Sequence, residues 1–377
     1  MREYLLVLLV AAATTFLLTG IARTIALRYG AVAKVRSRDV HAVPIPYFGG
    51  VAILGGLIAG FAVASSLPFL GDSLQVARDA RAILLGGVII CAVGVIDDLV
   101  ELDPITKLAG QVLAVGVLVV QGIQLFWLPL PGGILSPPPA QLAVVTAGIL
   151  LVSTNATNFV DGLDGLAAGV TAIGALAFFT YSYLLNVEQG LDRATTATLI
   201  TAVLAGACLG FLPHNFWPAR IFMGDSGSLL IGLMLAASTI SLTGQMDPNA
   251  VPYEVGGSSL LPALLPLILP VAVLAIPALD LTLAYIRRTK AGRSPFAADK
   301  LHLHHRLLQR GHSHRRAVLL MYLWTALIAF GVVVLGLLLS WWTVLLVLAI
   351  TATAIVLTTG LPFRRTPTST PSLTKVS

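Results

Sequence analysis

The sequence predicts an all-α, polytopic integral membrane protein with about eleven transmembrane helices, each needing about 20 residues to cross a bilayer. The 377 residues are 57% hydrophobic and 11% charged, with a mean hydropathy of +0.91. A typical soluble domain carries about 25% charged residues. Apolar runs of spanning length recur along the whole chain, and the clustered polar residues lie in the connections between them. Together these observations exclude an ordinary soluble domain.

The chain is expected to form one multi-span domain over residues 1–365, followed by a disordered cytoplasmic tail at 366–377 that is rich in Ser, Thr and Pro. The first apolar run is too long for a signal-peptide core and lacks a cleavage site, so it predicts a permanent helix. Residues 129–139 read as a Pro/Gly-rich loop. Cys91 and Cys208 lie inside apolar runs, which argues against a disulfide framework or a thiolate metal site. The predicted spans are 4–22, 47–67, 82–96, 107–126, 140–154, 165–185, 196–213, 227–244, 260–286, 316–339 and 341–360.

The basic residues predict the orientation of these spans. With eleven spans, the connections after the odd-numbered spans lie on one side together with the C-terminus. They hold 19 of the 23 Lys and Arg residues when Lys107 and Arg316, at the first positions of the fourth and tenth spans, are counted with them. Basic residues in short loops favour the cytoplasmic side. The polar clusters and the C-terminus should therefore face the cytoplasm, with the N-terminus outside. Because the basic residues are divided among loops beside membrane helices, anionic lipids and phosphate substrates are the expected partners, and nucleic acid is not.

Two clusters of carboxylates follow the third and fifth spans. Asp97 and Asp98 end the third span, where the partial negative charge of a helix C-terminus disfavours them, so a cation such as a metal ion or Lys107 is expected nearby. The alternative is a solvated pair that only closes the helix. Asn158 and Asp161 follow the fifth span, and an Asp-Gly step there permits a tight turn.

Further polar side chains lie around the sixth and eighth spans. Asp164 precedes the sixth span and could serve only as its helix cap. Asn215, Phe222 and Asp225 precede the eighth span. There too, Asp225 could be a helix cap and nothing more, and Phe222 an aromatic residue at the membrane interface.

The last cytoplasmic loop is the most polar part of the chain. Five of the seven histidines lie between residues 302 and 314, among them His302, His304 and His305, and Arg293 lies upstream. A loop that only orients the protein in the membrane would need the basic residues. It would not need the histidines, which are mostly neutral at cytoplasmic pH. A structural zinc site is a weak alternative because no cysteine is near.

Carboxylates, basic groups, histidines and an aromatic ring on one membrane face are the groups that phosphoryl transfer requires. Mg²⁺ prefers oxygen ligands and commonly bridges one or two carboxylates to substrate phosphates. Basic residues neutralise phosphate charge, and a carboxylate can orient or deprotonate a nucleophile. No Walker A sequence and no dinucleotide-binding glycine pattern occur in the chain.

The order of these motifs resembles the polyprenyl-phosphate N-acetylhexosamine-1-phosphate transferases, over about residues 44–316. That family moves a sugar-1-phosphate from a UDP-sugar to a polyprenyl phosphate, releases UMP and requires Mg²⁺, with Mn²⁺ as an alternative. The resemblance implies a bacterial plasma membrane enzyme with its active site facing the cytoplasm. The motifs are Asp97-Asp98, Asn158-x-x-Asp161-Gly-x-Asp164-Gly, Asn215 with Phe222-Met223-Gly224-Asp225-Ser226-Gly227-Ser228, and His302-x-His304-His305.

The same resemblance implies a role for each motif residue. Asp225 would ligate the metal, with Asp98 as the second metal carboxylate. The implied catalytic residues are Asp97, Asp98, Asp161, His304 and His305. The implied substrate-binding residues are Lys107 and Asn158 near the phosphates, Asp164, Asn215 and Phe222 around uridine, and Arg293 and His302 in the last loop.

The histidine motif indicates the branch that uses UDP-N-acetylglucosamine and initiates cell-envelope polysaccharides, because Leu303 interrupts the three consecutive histidines typical of the muramoyl-pentapeptide transferases. One departure is Glu101, where some members have Asp. A muramoyl-pentapeptide transferase or a transferase for another UDP-N-acetylhexosamine stays as an alternative. A membrane transporter would instead place paired carboxylates near the bilayer midplane, often within inverted repeats. The sequence leaves open whether the protein forms a homodimer.

Overall fold

The computed structural model describes residues 1–32, 44–130, 133–189, 194–245, 313–338 and 341–360, with the single positions 268, 272 and 289. Within these residues the fold is almost entirely helical. Seven helices are long and apolar enough to cross a membrane, which confirms a helical membrane protein. The helices are α1 (Arg2–Tyr29), α2 (Gly49–Ala64), α3 (Pro68–Gly71), α4 (Leu74–Val100), α5 (Pro104–Val120), α6 (Pro139–Val160), α7 (Leu166–Gln189), α8 (Ala194–Asn215), α9 (Gly224–Gln245), α10 (His314–Leu337) and α11 (Trp341–Gly360).

Every predicted span except the ninth overlaps one of these helices. The helices α2, α5 and α11 are apolar but shorter than the other seven. The ninth span, 260–286, lies outside the described residues apart from two single positions. The total of eleven spans, the domain limits and the orientation of the termini therefore stay predictions.

Helix caps explain why two helices begin earlier than their apolar runs. The helix α4 begins at Leu74, after Ser73, whose hydroxyl accepts a hydrogen bond from the Val76 N–H at 3.3 Å. The helix α5 begins at Pro104, after Asp103, whose carboxylate accepts from two backbone N–H groups at 3.1 Å. A cap followed by proline is a strong start signal. Capping chemistry, and not hydropathy, sets these boundaries.

One short β-hairpin interrupts the helical pattern. Strands β1 (Leu128–Leu130) and β2 (Gly133–Leu135) pair antiparallel, with Leu128 opposite Leu135. They lie in the segment predicted as a Pro/Gly-rich loop. In the part of the chain that the structure describes, these are the only paired strands, so the predicted all-α class needs only this small correction.

The helix α9 lies at the centre of the bundle and is buried throughout its apolar stretch. The helices α2, α4, α6 and α8 pack against it, while α1 and α7 pack on α8, α10 packs on α7, and α11 packs on α10. A central helix cannot rely on water to satisfy its first N–H groups. Its neighbours must therefore supply the hydrogen-bond acceptors.

Glycines bring the start of α9 very close to two neighbouring helices. A Cβ atom placed on Gly50 of α2 or on Gly94 of α4 would overlap the backbone of Ser226. Gly227 in turn lies against the backbone of Gly50. The three helix backbones meet with no space for a side chain between them. We call Gly50, Gly94 and Gly227 the glycine contact, and it fixes the position of the first turn of α9.

Candidate active site

Four helix ends converge at one end of the bundle, and they carry five of the polar residues that the sequence singled out. Asp97 and Asp98 lie in the last turn of α4, Lys107 lies in the first turns of α5, Asn158 lies in the last turn of α6, and Asp225 lies in the first turn of α9. The sequence placed most of these residues in loops. The structure corrects this, because the helices continue through the polar residues whose side chains bond across to neighbouring helices.

Asp225 is held by groups from two helices. Its Oδ1 accepts a hydrogen bond from Asn158 Nδ2 at 2.8 Å, and its Oδ2 forms a close ion pair with Lys107 Nζ. Asn158 Nδ2 also donates to Ser228 Oγ at 2.8 Å, one turn further along α9. The side chain of Asp225 therefore does not cap its own helix. It faces a shared polar cluster and stays 26% exposed.

Asp97 completes a charge bridge across the cluster. Its Oδ2 lies 3.0 Å from Lys107 Nζ, and its Oδ1 accepts from the Leu102 N–H at 2.8 Å. Lys107 thus joins a carboxylate of α4 to Asp225 of α9. The side chain of Lys107 is only 21% exposed and that of Asp97 only 14%. The cation that the sequence predicted beside the paired carboxylates is this lysine.

Asp98 of α4 caps the N-terminus of α9. Its Oδ1 accepts from the Asp225 N–H at 2.8 Å, and its Oδ2 accepts from the Ser226 N–H at 3.2 Å. Gly224 precedes them with φ +70°, and a side chain there would strike the Asp98 carboxylate. Both oxygens of Asp98 therefore bind backbone, which distinguishes it from Asp97. Carboxylates at helix N-termini are stabilised by the helix dipole.

Asp161 lies just beyond the end of α6, and the residue is partly buried. Burial raises its pKa to about 7, and the nearby carboxylates of Asp225, Asp98 and Asp164 push the pKa in the same direction. A carboxyl group with this pKa is protonated in part of the molecules at neutral pH. In that form it can donate a hydrogen bond to a phosphate oxygen.

Asp164 and Asn215 hold two loops of the same end together. Asp164 Oδ2 accepts from the Ala219 N–H at 2.8 Å. The Asn215 amide accepts from the Gly165 N–H at 2.9 Å and donates to the Ile221 carbonyl at 3.0 Å. Both side chains are buried. The structure thus places them beneath the loop that leads to Phe222, with these contacts directed to backbone.

Phe222 and its surroundings are shaped by the segment before α2. The Phe222 N–H donates to the Pro46 carbonyl at 2.8 Å, and the Phe222 carbonyl accepts from the Gly49 N–H at 3.1 Å. The ring centroid of Phe222 lies 6.3 Å from that of Tyr47. Phe48 turns the chain into α2 with φ +80°, an unusual value for a residue with a side chain. No sequence pattern indicates this pairing, since the two segments are far apart in the chain.

The cluster fits a divalent metal by the chemistry of its donors. No three described His, Cys, Asp or Glu side chains already form a metal cage. Mg²⁺, however, usually takes one or two protein carboxylates and completes its shell with water and substrate phosphates. Asp97, Asp98 and Asp225 offer only oxygen, and Lys107 bridges two of these carboxylates.

Several sequence-predicted residues are not brought into this cluster by the described structure. Arg293, His302, His304 and His305 lie outside the described residues. Glu101 ends α4 with a left-handed backbone at φ 52°, and its side chain is exposed. Conversely, the sequence reading assigned nothing to Gln111 and Asn155, two polar residues near the cluster on apolar helices. Gln111 lies four residues after Lys107, and Asn155 lies three residues before Asn158. Residues at these spacings share a helix face, and this was the signal in the sequence that they lie near the cluster.

Comparison with known proteins decides the family. The sequence profile of glycosyl transferase family 4 matches residues 80–243, which include all four converging helix ends. The chain is also 48% identical to a decaprenyl-phosphate N-acetylglucosaminephosphotransferase of Mycolicibacterium smegmatis, over 88% of this chain and 82% of that protein. The chain belongs to glycosyl transferase family 4.

Two further proteins are also similar to this chain. It is 34% identical to a probable undecaprenyl-phosphate N-acetylglucosaminyl 1-phosphate transferase of Bacillus subtilis, over 82% of this chain and 78% of that protein. It is 30% identical to a phospho-N-acetylmuramoyl-pentapeptide-transferase of Desulforudis audaxviator, over 82% of this chain and 92% of that protein. The family resemblance inferred from the motifs is thereby confirmed.

Proposed function

We propose that this glycosyl transferase family 4 member transfers N-acetylglucosamine-1-phosphate from UDP-N-acetylglucosamine to a polyprenyl phosphate, giving polyprenyl-pyrophosphoryl-N-acetylglucosamine and UMP. This product initiates a cell-envelope polysaccharide. The observation that carries the proposal is the convergence of Asp97, Lys107, Asn158 and Asp225 at one end of the helical bundle. There, a water-soluble nucleotide and a lipid phosphate can meet.

The similarity to relatives supports the choice of sugar. Identity is 48% to the Mycolicibacterium decaprenyl-phosphate enzyme and 30% to the muramoyl-pentapeptide transferase of Desulforudis. The interrupted histidine motif at 302–305 favours the same branch. A transporter is disfavoured because the described carboxylates of the cluster lie at helix ends and not at the middle of spans.

The proposed reaction is a direct displacement at phosphorus. An oxygen of the lipid phosphate attacks the β-phosphorus of the UDP-sugar. The bond from that phosphorus to the bridging oxygen then breaks, and UMP leaves with this oxygen. We assign the proton of the lipid phosphate to Asp97, because only one of its oxygens accepts a backbone N–H group and the other pairs with the Lys107 side chain, whereas both oxygens of Asp98 accept backbone N–H groups. A phospho-aspartyl intermediate is the rival route.

Charge neutralisation and alignment supply most of the rate enhancement in such a site. When bound, Mg²⁺ or Mn²⁺ would neutralise phosphate charge, held by Asp225 and Asp98. Lys107 and Asn158 orient the diphosphate oxygens, and Asp161 donates a hydrogen bond when it is protonated. The cluster holds the three carboxylates of Asp97, Asp98 and Asp225, but Lys107 is the one lysine among its described residues. This excess of negative charge supports the need for an added cation.

The remaining assignments concern the nucleoside and the sugar. Phe222 stacks on uracil, and Asp164 and Asn215 hold the loop that forms this pocket. Arg293 and the segment of His302, His304 and His305 contact the sugar or the diphosphate from the last cytoplasmic loop. We place the enzyme in a bacterial plasma membrane with the site facing the cytoplasm.

The decisive experiment offers the purified protein two donors in parallel, UDP-N-acetylglucosamine and UDP-N-acetylmuramoyl-pentapeptide, each with decaprenyl phosphate. Release of UMP from the first donor alone supports the proposal. Release from the second alone would select the alternative transferase. Exchange of radiolabelled UMP into UDP-sugar, dependent on polyprenyl phosphate, separates either enzyme from a transporter.

The orientation gives a prediction that cysteine labelling can check. The connection 245–259 has no basic residue, whereas the connection after the ninth predicted span has nine when Arg316 at the start of the tenth span is counted with it. A cysteine placed in 245–259 should react with an impermeant maleimide in intact cells. One placed in 289–298 should react only after permeabilisation. The reverse pattern would invert the topology and separate the site from cytoplasmic UDP-sugars.

Arg293 gives a prediction about sugar specificity. Uridine and diphosphate are common to the alternative donors, so discrimination must come from contacts to the sugar. A site built to bind a polar group can reject analogues that lack it by about 10⁴-fold. We expect Arg293→Ala to lower kcat/KM for UDP-N-acetylglucosamine by at least about 10²-fold while UMP still binds. Unchanged kinetics with normal expression would move the specificity elsewhere.

A further inference from the structure

One polar pair joins α5 to α6 just below the carboxylate cluster. Gln111 Nε2 donates to Asn155 Oδ1 at 3.2 Å, and Asn155 Nδ2 donates back to Gln111 Oε1 at 2.7 Å. Asn155 Nδ2 also donates to the Leu151 carbonyl of its own helix at 2.8 Å. The two amides therefore satisfy each other in both directions. We call Gln111 and Asn155 the amide pair.

The surroundings of the amide pair make it unusual. Gln111 is 1% exposed and lies in an apolar helix between aliphatic residues. An amide buried without partners carries a large desolvation cost, so such residues are rare in apolar helices unless they are paired. Because the two side chains must meet to satisfy each other, the pair sets the distance and the rotation of α5 relative to α6.

The amide pair lies one helical turn deeper than two residues of the cluster. Gln111 follows Lys107 by four residues on α5, and Asn155 precedes Asn158 by three on α6. Residues at these spacings share a helix face. Lys107 and Asn158 in turn contact the two oxygens of Asp225. A movement of α5 against α6 would therefore change how these two groups hold Asp225.

We propose that Gln111 and Asn155 are positioning residues, which act through Lys107 and Asn158 to fix the geometry around Asp225. The inference rests on the proposed function in so far as it concerns turnover. The side-chain hydrogen bonds of Gln111 and Asn155 go to each other and to the Leu151 carbonyl, so neither residue is expected to contact substrate. Loss of the pair should lower turnover and leave donor binding largely intact.

Two variants separate positioning from stability. Gln111→Met leaves the partly buried Asn155 amide with its Leu151 bond but without its Gln111 partner, which costs stability. The double variant Gln111→Met with Asn155→Leu removes both amides, a change that can be nearly neutral for stability. In the double variant we expect thermal stability to recover towards wild type. Turnover should stay low by roughly 10- to 100-fold, because small misplacements in a reactive site have effects of this size.

Asn186→Leu is the matched control. Asn186 Nδ2 donates to Thr195 Oγ1 at 2.5 Å and joins α7 to α8 at the opposite end of the bundle. The variant also removes an amide between two membrane helices, but it leaves the cluster unchanged. We expect lower thermal stability with wild-type turnover.

A second measurement does not depend on activity. In the wild type, the amine of Lys107 is held between Asp97 and Asp225 and should react slowly in reductive methylation, followed by mass spectrometry. In the double variant we expect faster methylation of Lys107, and in Asn186→Leu the wild-type rate. If the wild type fails to turn over any UDP-N-acetylhexosamine, the proposed function fails while this measurement still tests the amide pair.

Two results would overturn the inference. One is turnover of the double variant within about twofold of the wild type, a difference too small for a lost positioning contact. The other is methylation of Lys107 at the wild-type rate in the double variant.

Discussion

Asp225→Asn is expected to abolish transferase activity, with a loss of at least about 10³-fold, because it removes the charge that the cluster is built around. The carboxylate of Asp225 accepts from Asn158 and pairs with Lys107. An amide keeps the size of the side chain but cannot pair with the lysine or serve as a strong metal ligand. The measurement is UMP release by purified protein, with thermal unfolding as the check that the variant is folded.

Asp103→Asn is the control for this change. Asp103 is the N-cap of α5 and lies at the same end of the bundle as the cluster. Asparagine caps a helix as well as aspartate does. The control should therefore keep wild-type activity. The same assay tests the metal: chelation by EDTA should stop turnover, and added Mg²⁺ or Mn²⁺ should restore it. Wild-type turnover in EDTA would contradict the metal proposal.

Asp97→Asn should lower kcat by about 10²- to 10⁴-fold, the range for loss of a general base, and leave KM for the UDP-sugar nearly unchanged. Its proposed work is on the lipid phosphate and not on uridine. Asp98→Asn should also lower turnover more than donor affinity. It should in addition destabilise the protein. The Asp225 and Ser226 N–H groups now donate to the two oxygens of Asp98, and in the variant one of these N–H groups would face an amide NH₂, which is also a donor.

Steady-state kinetics with varied donor and saturating lipid phosphate distinguish these outcomes, and thermal unfolding separates the two aspartates. If Asp97→Asn lost nucleotide binding but kept its rate at saturation, the assignment of the proton acceptor would be wrong. If Asp98→Asn were as stable as the wild type, its capping bonds would contribute little to the fold.

The sequence predicts the helices of this protein well because apolar runs report directly on membrane spans. It also predicts that Asp97, Asn158 and Asp225 lie on one face, because that follows from alternation of the spans. It does not predict that Asp98 caps α9, since that contact joins residues 127 positions apart. Adjacent aspartates look alike in sequence, and only tertiary packing separates their contacts.

Helix ends are the second feature that sequence patterns describe poorly. Polar residues such as Asn155 and Asn158 suggest that a span has ended, yet α6 continues to Val160. The reason is that these amides bond to other helices and to their own helix, so they do not compete with the backbone. The roles of Arg293 and the histidines of the last loop stay predictions, because those residues lie outside the described structure.

The glycine contact has a consequence for how new substrate preferences could arise in this enzyme. Any side chain added at Gly50 or Gly94 would push on the backbone of Ser226, and the displacement would reach Asp225, the next residue. Random mutagenesis or laboratory evolution should therefore recover almost no active variants at these two positions. Adaptation to another sugar or another lipid is therefore expected to proceed through other residues of the site, while Gly50 and Gly94 stay glycine.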